Sequence, residues 1–171
     1  MENLNRVRML LLAAWLGVAL YFSAVVAPSA FGVLRSFSLA NANEIAGTIV
    51  SRSLSVVNKS GLLIGLLLLI TAPAVKRSYT RASFLIQTAL LVILAIATGV
   101  GEWVIAAKMR GLRVAMQGQI DQVPLTDPNR IAFASLHGYS VAALSVAMLA
   151  ALIVVLLMVF SRDRTGRAPS T

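Results

Sequence analysis

Four long apolar stretches, separated by basic residues, set the strongest limit on how this chain can fold. Residues 9–34 and 82–101 carry no charge, and residues 131–161 hold one histidine, His137, and no Asp, Glu, Lys or Arg. Residues 45–75 carry Arg52 and Lys59 in their first half and are then uncharged from residue 60 onward. A bilayer core about 30 Å thick needs about 20 apolar helical residues to cross it. Only a helix or a closed barrel satisfies its own backbone there, and runs this long and rich in Leu and Ala are not barrel strands. The expected fold is therefore all-α, a polytopic membrane protein built as a four-helix transmembrane bundle over residues 1–171. The spans are expected at about 9–33, 45–75, 82–107 and 130–161. An amphipathic interfacial helix is expected over 108–124, and a cytoplasmic tail over 162–171.

With 171 residues, 58% of them hydrophobic, the chain is one bundle with short connections. It has no cysteine, which excludes disulfides, thiol redox chemistry, Cys-based zinc and thiolate haem. A net charge of +9 raises the question of nucleic acid, but the basic residues sit at segment ends rather than along one face. That placement marks topology and contact with lipid headgroups, so the expected partner is the bilayer and not nucleic acid. Arg6 and Arg8 before an apolar run resemble a secretory signal, yet the run is too long and the best cleavage position is followed by Pro28. It is expected to stay as the first span.

Orientation follows from counting Lys and Arg. Arg6, Arg8, Lys76, Arg77, Arg81, Arg162, Arg164 and Arg167 fall on one side of four spans, against Arg35, Lys108, Arg110, Arg113 and Arg130 on the other. Eight positive charges against five, the latter offset by Glu44, Asp121 and Asp127, favour cytoplasmic termini. Asp127-Pro128 has the pattern of an N-cap followed by proline in the first helical position.

Helical spacing assigns each span a small-residue seam. These are Leu10, Ala14, Gly17, Tyr21, Ala24 and Pro28 in the first, and Gly47, Leu54, Asn58, Gly61, Gly65, Leu68 and Ala72 in the second. The third has Thr88, Ala95, Thr98, Gly99 and Glu102, and the fourth His137, Ser140, Leu144, Ala147 and Ala151. Small residues let membrane helices approach closely, with Gly61 and Gly65 forming a GxxxG pair.

Depth counted at about 1.5 Å per residue brings Arg52, Glu102 and His137 to one level near the outer end, with Asn58 and Lys59 slightly inside. The plain explanation is snorkelling of Arg52 and Lys59, a helix-end Glu102 beside Trp103, and a hydrogen-bonded His137. The sharper one is a paired polar cluster of these residues lining an outward-facing cavity. A soft metal such as copper would need thioether or imidazole ligands, and the outer side offers His137, Met109 and Met116. A lone histidine does not give bis-histidine haem ligation, and no bound cofactor is expected. No serine motif, HExxH or paired carboxylate accompanies Glu102 and His137, so no enzyme activity is expected.

Val26-Ala27-Pro28 followed by Phe31, Ala46-Gly47 through Asn58 and Gly61, and Phe133-Ala134-Ser135-Leu136-His137-Gly138-Tyr139-Ser140 together resemble a known family. It is the bacterial domain of unknown function 4149, related to eukaryotic transmembrane protein 205. The resemblance implies a four-span protein of the bacterial cytoplasmic (inner) membrane with no established activity. Platinum resistance in the eukaryotic relatives, and distant likeness to copper-resistance D-type proteins, suggest metal handling by analogy. Two functions follow as expectations: a small transport, export or metal-resistance component with a polar site at the outer end, or an accessory protein without chemistry of its own. Either would work with a membrane protein partner or as a homo-oligomer.

Overall fold

The computed structural model describes residues 2–117 and 120–160. Among them are six α-helices: α1 (Glu2–Tyr21), α2 (Ala27–Ser36), α3 (Ala42–Val75), α4 (Arg81–Val100), α5 (Ala106–Ala115) and α6 (Pro128–Phe160). A π-helical turn at Phe22–Val26 joins α1 to α2, and another at Gly101–Ile105 joins α4 to α5. The result is four helices long and apolar enough to cross a membrane: Glu2–Ser36, Ala42–Ser78, Arg81–Ala115 and Pro128–Phe160. Each runs beyond its apolar stretch because the helix is the conformation that keeps satisfying backbone groups into the interface.

The spans alternate in direction, each packs on its neighbours in sequence, and α6 closes the ring against both α1 and α4. Both described chain ends lie at one end of the bundle, called proximal below. The outward surface is apolar, with Leu63, Ile70, Ile96 and Leu149 exposed, as a lipid-facing wall requires. The interior of the proximal half is filled by Leu12, Leu68, Leu91, Leu94, Val154 and Met158, each at most 1% exposed.

Three of the four expected seams face inward. Gly61, Gly65, Thr98, Ala147 and Ala151 are all buried. At Gly61 an added Cβ would stand 2.8 Å from both Thr98 Cγ2 and Trp15 Cζ2, and at Gly65 one would stand 2.8 Å from Leu94 Cδ2. The first span departs from expectation. Leu10, Ala14, Gly17, Tyr21, Ala24 and Pro28 are exposed, and the inward face is Leu12, Trp15, Leu16, Ala19 and Phe22. Trp15 decides this: its ring lies over Gly61 and its Nε1 donates to the Val57 carbonyl at 3.0 Å. The notch left by one glycine suits a large ring better than a second small residue.

Arg8, counted among the topology charges, also turns inward. It is 3% exposed, and its Nη1 donates to the Leu68 carbonyl at 2.7 Å and to Thr71 Oγ1 at 2.5 Å, joining α1 to α3. Lys76, Arg77 and Arg81 at the same end remain exposed.

The N-cap expected at Asp127 is present, its Oδ1 accepting from the backbone N–H of Asn129 at 2.7 Å and Arg130 at 3.2 Å. The segment expected as a separate amphipathic helix over 108–124 differs. Its first part is α5, a continuation of the third span that ends at Ala115; Gln117 then turns at a φ of 49°, and the described residues 120–127 form turns. The tail at 162–171 lies outside the described residues, as does Gln119.

Candidate functional site at the distal end

The polar side chains that the sequence places at or near one depth gather at the distal end, opposite the described chain ends. There α3, the second π turn with α5, and the start of α6 diverge around a cavity of about 390 Å³. Arg52, Asn58, Glu102, Met109 and His137 all line it. A second cavity of about 270 Å³ continues beneath α2 and the turn at Asp121, and a groove of about 260 Å³ runs between the first span and α6. Val50 and His137 contribute to all three, so the three cavities adjoin one another around His137.

Glu102 sits on the second π turn. π turns insert a residue into the helical ladder and recur at functional sites. Here the turn brings Gly101 against Asn58, whose Nδ2 would lie 3.1 Å from a Cβ at that position. Asn58 and Glu102 are 3% and 4% exposed, in a part of the membrane where such groups are costly without partners. Glu102 Oε1 accepts from Ser55 Oγ at 2.8 Å and lies 3.4 Å from Lys59 Nζ. Its Oε2 is buried with no hydrogen-bond partner among the described residues.

The sequence expectation paired Glu102 with Arg52. Arg52 lines the same chamber, but the ion pair is made by Lys59, one helical repeat further along α3 and outside the chamber wall. The Lys59 side chain is 59% exposed and reaches solvent or headgroups without its partner. Glu102→Gln therefore keeps an acceptor for Ser55 and strands no buried charge, and is expected to lower the melting temperature by little. A loss comparable to breaking a fully buried ion pair, about 3–5 kcal/mol, would contradict this arrangement.

Met109 shares two cavity walls with His137, whereas Met116 lines none of the three. Among the described residues no group of three or more His, Cys, Asp or Glu could hold a metal ion. That leaves His137 and Met109 as the pair of soft donors facing one space.

Sequence reasoning missed how the distal end is tied shut. Glu44 and Asp121 entered it only as offsets to positive charge, and Arg113 only as one of the positive charges they offset. Arg113 turns inward instead, its Nη1 donating to Glu44 Oε1 at 2.7 Å while its guanidinium stacks 5.3 Å above the Phe133 ring. Glu44 Oε2 accepts from the backbone N–H of Ile120 at 3.3 Å. Asp121 in turn caps the start of α3, its Oδ2 accepting from the Glu44 N–H at 3.1 Å and its Oδ1 from Asn43 Nδ2 at 2.5 Å. The turn after α5 is thus latched to the first turn of α3, and the latch roofs the second cavity.

Four apolar spans around a core, with exposed apolar walls, define an integral multi-pass membrane protein. The chain matches the family described as domain of unknown function DUF4149 over residues 10–117, most of its length, and belongs to that family. The match includes the Val26-Ala27-Pro28 and Asn58-to-Gly61 segments but ends before residues 133–140, the third segment of the resemblance. No curated protein and no solved structure matches the chain.

Proposed function

We propose that this protein is a small transport or export component of the bacterial cytoplasmic membrane, holding its ligand in the distal chamber. Both termini are cytoplasmic in this reading, so the chamber opens outward, and Arg52, Asn58, Glu102 and His137 make up the site, with Lys59 paired to Glu102 outside its wall. The observation that carries it is the junction at His137, where three cavities meet beside a buried carboxylate. Intramembrane ionisable groups that face a cavity mark ligand and ion pathways. Metal resistance is the narrower form of the reading: His137 and Met109 would offer imidazole and thioether to copper, and the relation to eukaryotic transmembrane protein 205 belongs with it.

The packed proximal half favours a second reading, an accessory protein without chemistry of its own. It also means that, in the transport reading, the inward half of a path comes from rearrangement, a second copy or a membrane protein partner.

Because the chain has no cysteine, single cysteines are clean probes. Ser140→Cys, on the chamber wall and 7% exposed, is expected to react slowly, through the chamber, with a membrane-impermeant thiol reagent added outside. Reporter fusions after Arg35 and Asp121 should read as outside. A cytoplasmic reading at Asp121, or a Ser140→Cys thiol reached only from the inside, would overturn the outward chamber. For the metal form, Cu(I) uptake by reconstituted protein should fall on His137→Ala; uptake independent of His137 removes it.

A further inference from the structure

The chamber and the groove adjoin across a shared wall. Val50, Leu54, His137 and Ser140 line both. Beyond them the groove is mostly apolar, walled by Phe22, Ala27, Phe31, Leu144 and Met148. Pro28 and Val141, on its rim, are exposed on the outer wall of the bundle, so the groove opens sideways into lipid. A polar chamber beside an apolar lateral groove has the form of a site for an amphiphile.

Charge selects the class of headgroup. Of the charged residues around the chamber, Arg113 is paired with Glu44 and Glu102 with Lys59. Arg52 and Arg110 line the chamber and make no ion pair or hydrogen bond among the described residues. Two uncompensated guanidinium groups favour a phosphate, for which arginine geometry is well matched. Glu102 is engaged through Oε1 by Lys59 and Ser55, and its Oε2 is buried rather than open to a headgroup ammonium.

Resting on the reading of the chamber as a ligand site, we propose that chamber and groove together hold one membrane phospholipid with an anionic headgroup. The phosphate lies at Arg52 and Arg110, and the upper part of one acyl chain lies in the groove between the first and fourth spans. The remainder of the lipid stays in the bilayer. A free anion would use the chamber alone, whereas the lateral opening serves a ligand that arrives from the membrane.

The test is retention of lipid by the purified full chain, read by native mass spectrometry. The probes are phosphatidylglycerol, phosphatidylcholine with the same acyl chains, and inorganic phosphate. One phosphatidylglycerol per chain should be retained about 30-fold more tightly than phosphatidylcholine, from roughly fivefold for each guanidinium. Arg52→Gln with Arg110→Gln should abolish that preference. Equal retention of the two lipids, a preference that survives the double substitution, or displacement of phosphatidylglycerol by equimolar inorganic phosphate would overturn the proposal.

If the double variant does not fold, protection of Ser140→Cys decides. Phosphatidylglycerol should slow its labelling at least about fivefold relative to phosphatidylcholine, and equal labelling rates would refute the lipid site. Failure of the chamber reading is separate: it appears as Ser140→Cys unreactive from outside in any lipid. A reactive thiol with no lipid preference would leave the chamber standing and remove the phospholipid.

Discussion

Gly61→Leu should prevent the bundle from closing. Even a single added carbon at this position would meet Thr98 Cγ2 and Trp15 Cζ2 at 2.8 Å and Trp15 Cε2 at 2.9 Å. Neither neighbour is free to retreat. Trp15 is 3% exposed and anchored by its hydrogen bond to the Val57 carbonyl, and Thr98 is 1% exposed and bonded to the Leu94 carbonyl at 2.8 Å. Membrane helices lack a hydrophobic force between them and associate through close packing, so three misplaced helices forfeit much of what holds them. Overpacking alone costs about 1–3 kcal/mol; a leucine wedged between the first, second and third spans should reach or exceed the top of that range. Gly61→Ala should be milder. Gly65→Ala should be milder again, since its nearest obstacle is the end of the Leu94 side chain. Gly17→Leu, with nothing within 4 Å of its position, should be neutral. Thermal unfolding in detergent gives the ranking directly. A Gly61→Leu protein that melts like the parent would mean that the seam is not closed against Trp15.

Glu44→Ala should open the distal end without unfolding the bundle. One carboxylate holds both Arg113 at 2.7 Å and the Ile120 N–H at 3.3 Å, so its loss frees α5 and the following turn together. The two side chains are 22% and 29% exposed, which discounts the pair below a fully buried one. About 2 kcal/mol is a reasonable scale for losing a charge-assisted bond and a neutral one. Hydrogen exchange should quicken around residues 110–125, and outside labelling of Ser140→Cys should accelerate. Glu44→Gln, which keeps an acceptor for Ile120, should fall between. Unchanged exchange there would show that the turn is held by Asp121 alone. Gly61 lies well along α3 from Glu44, so the two effects should add.

Much of the architecture is legible in the residues because it depends on one-dimensional quantities. Apolar length makes four spans, Asp127-Pro128 starts the fourth, and the glycine spacing marks the face of α3 that others approach. The candidate site is legible in part for the same reason. Depth along a helix is a count of residues, and counting brings Arg52, Glu102 and His137 to one level with Asn58 slightly inside; all four line one chamber.

Which face turns inward, and which partner wins, are not counts. In the first span every side of the helix is apolar, so hydropathy does not distinguish the small-residue stripe from the face of Trp15. The complementary notch at Gly61 does, and it belongs to another helix. Arg52 and Lys59 share one face of α3, and counted depth puts Glu102 level with Arg52; the position of Glu102 on its π turn gives it to Lys59 instead. Arg113, Glu44 and Asp121 are remote from one another along the chain and meet only because the turn after α5 folds back on α3. The sequence by itself determined the number of helices apolar enough to cross a membrane and roughly where each lies in the chain, because these follow from residue type and the length of apolar runs. Tertiary structure alone decided the inward faces, the ion pairs and the shape of the cavity, because these depend on complementary surfaces that exist only once the helices are packed.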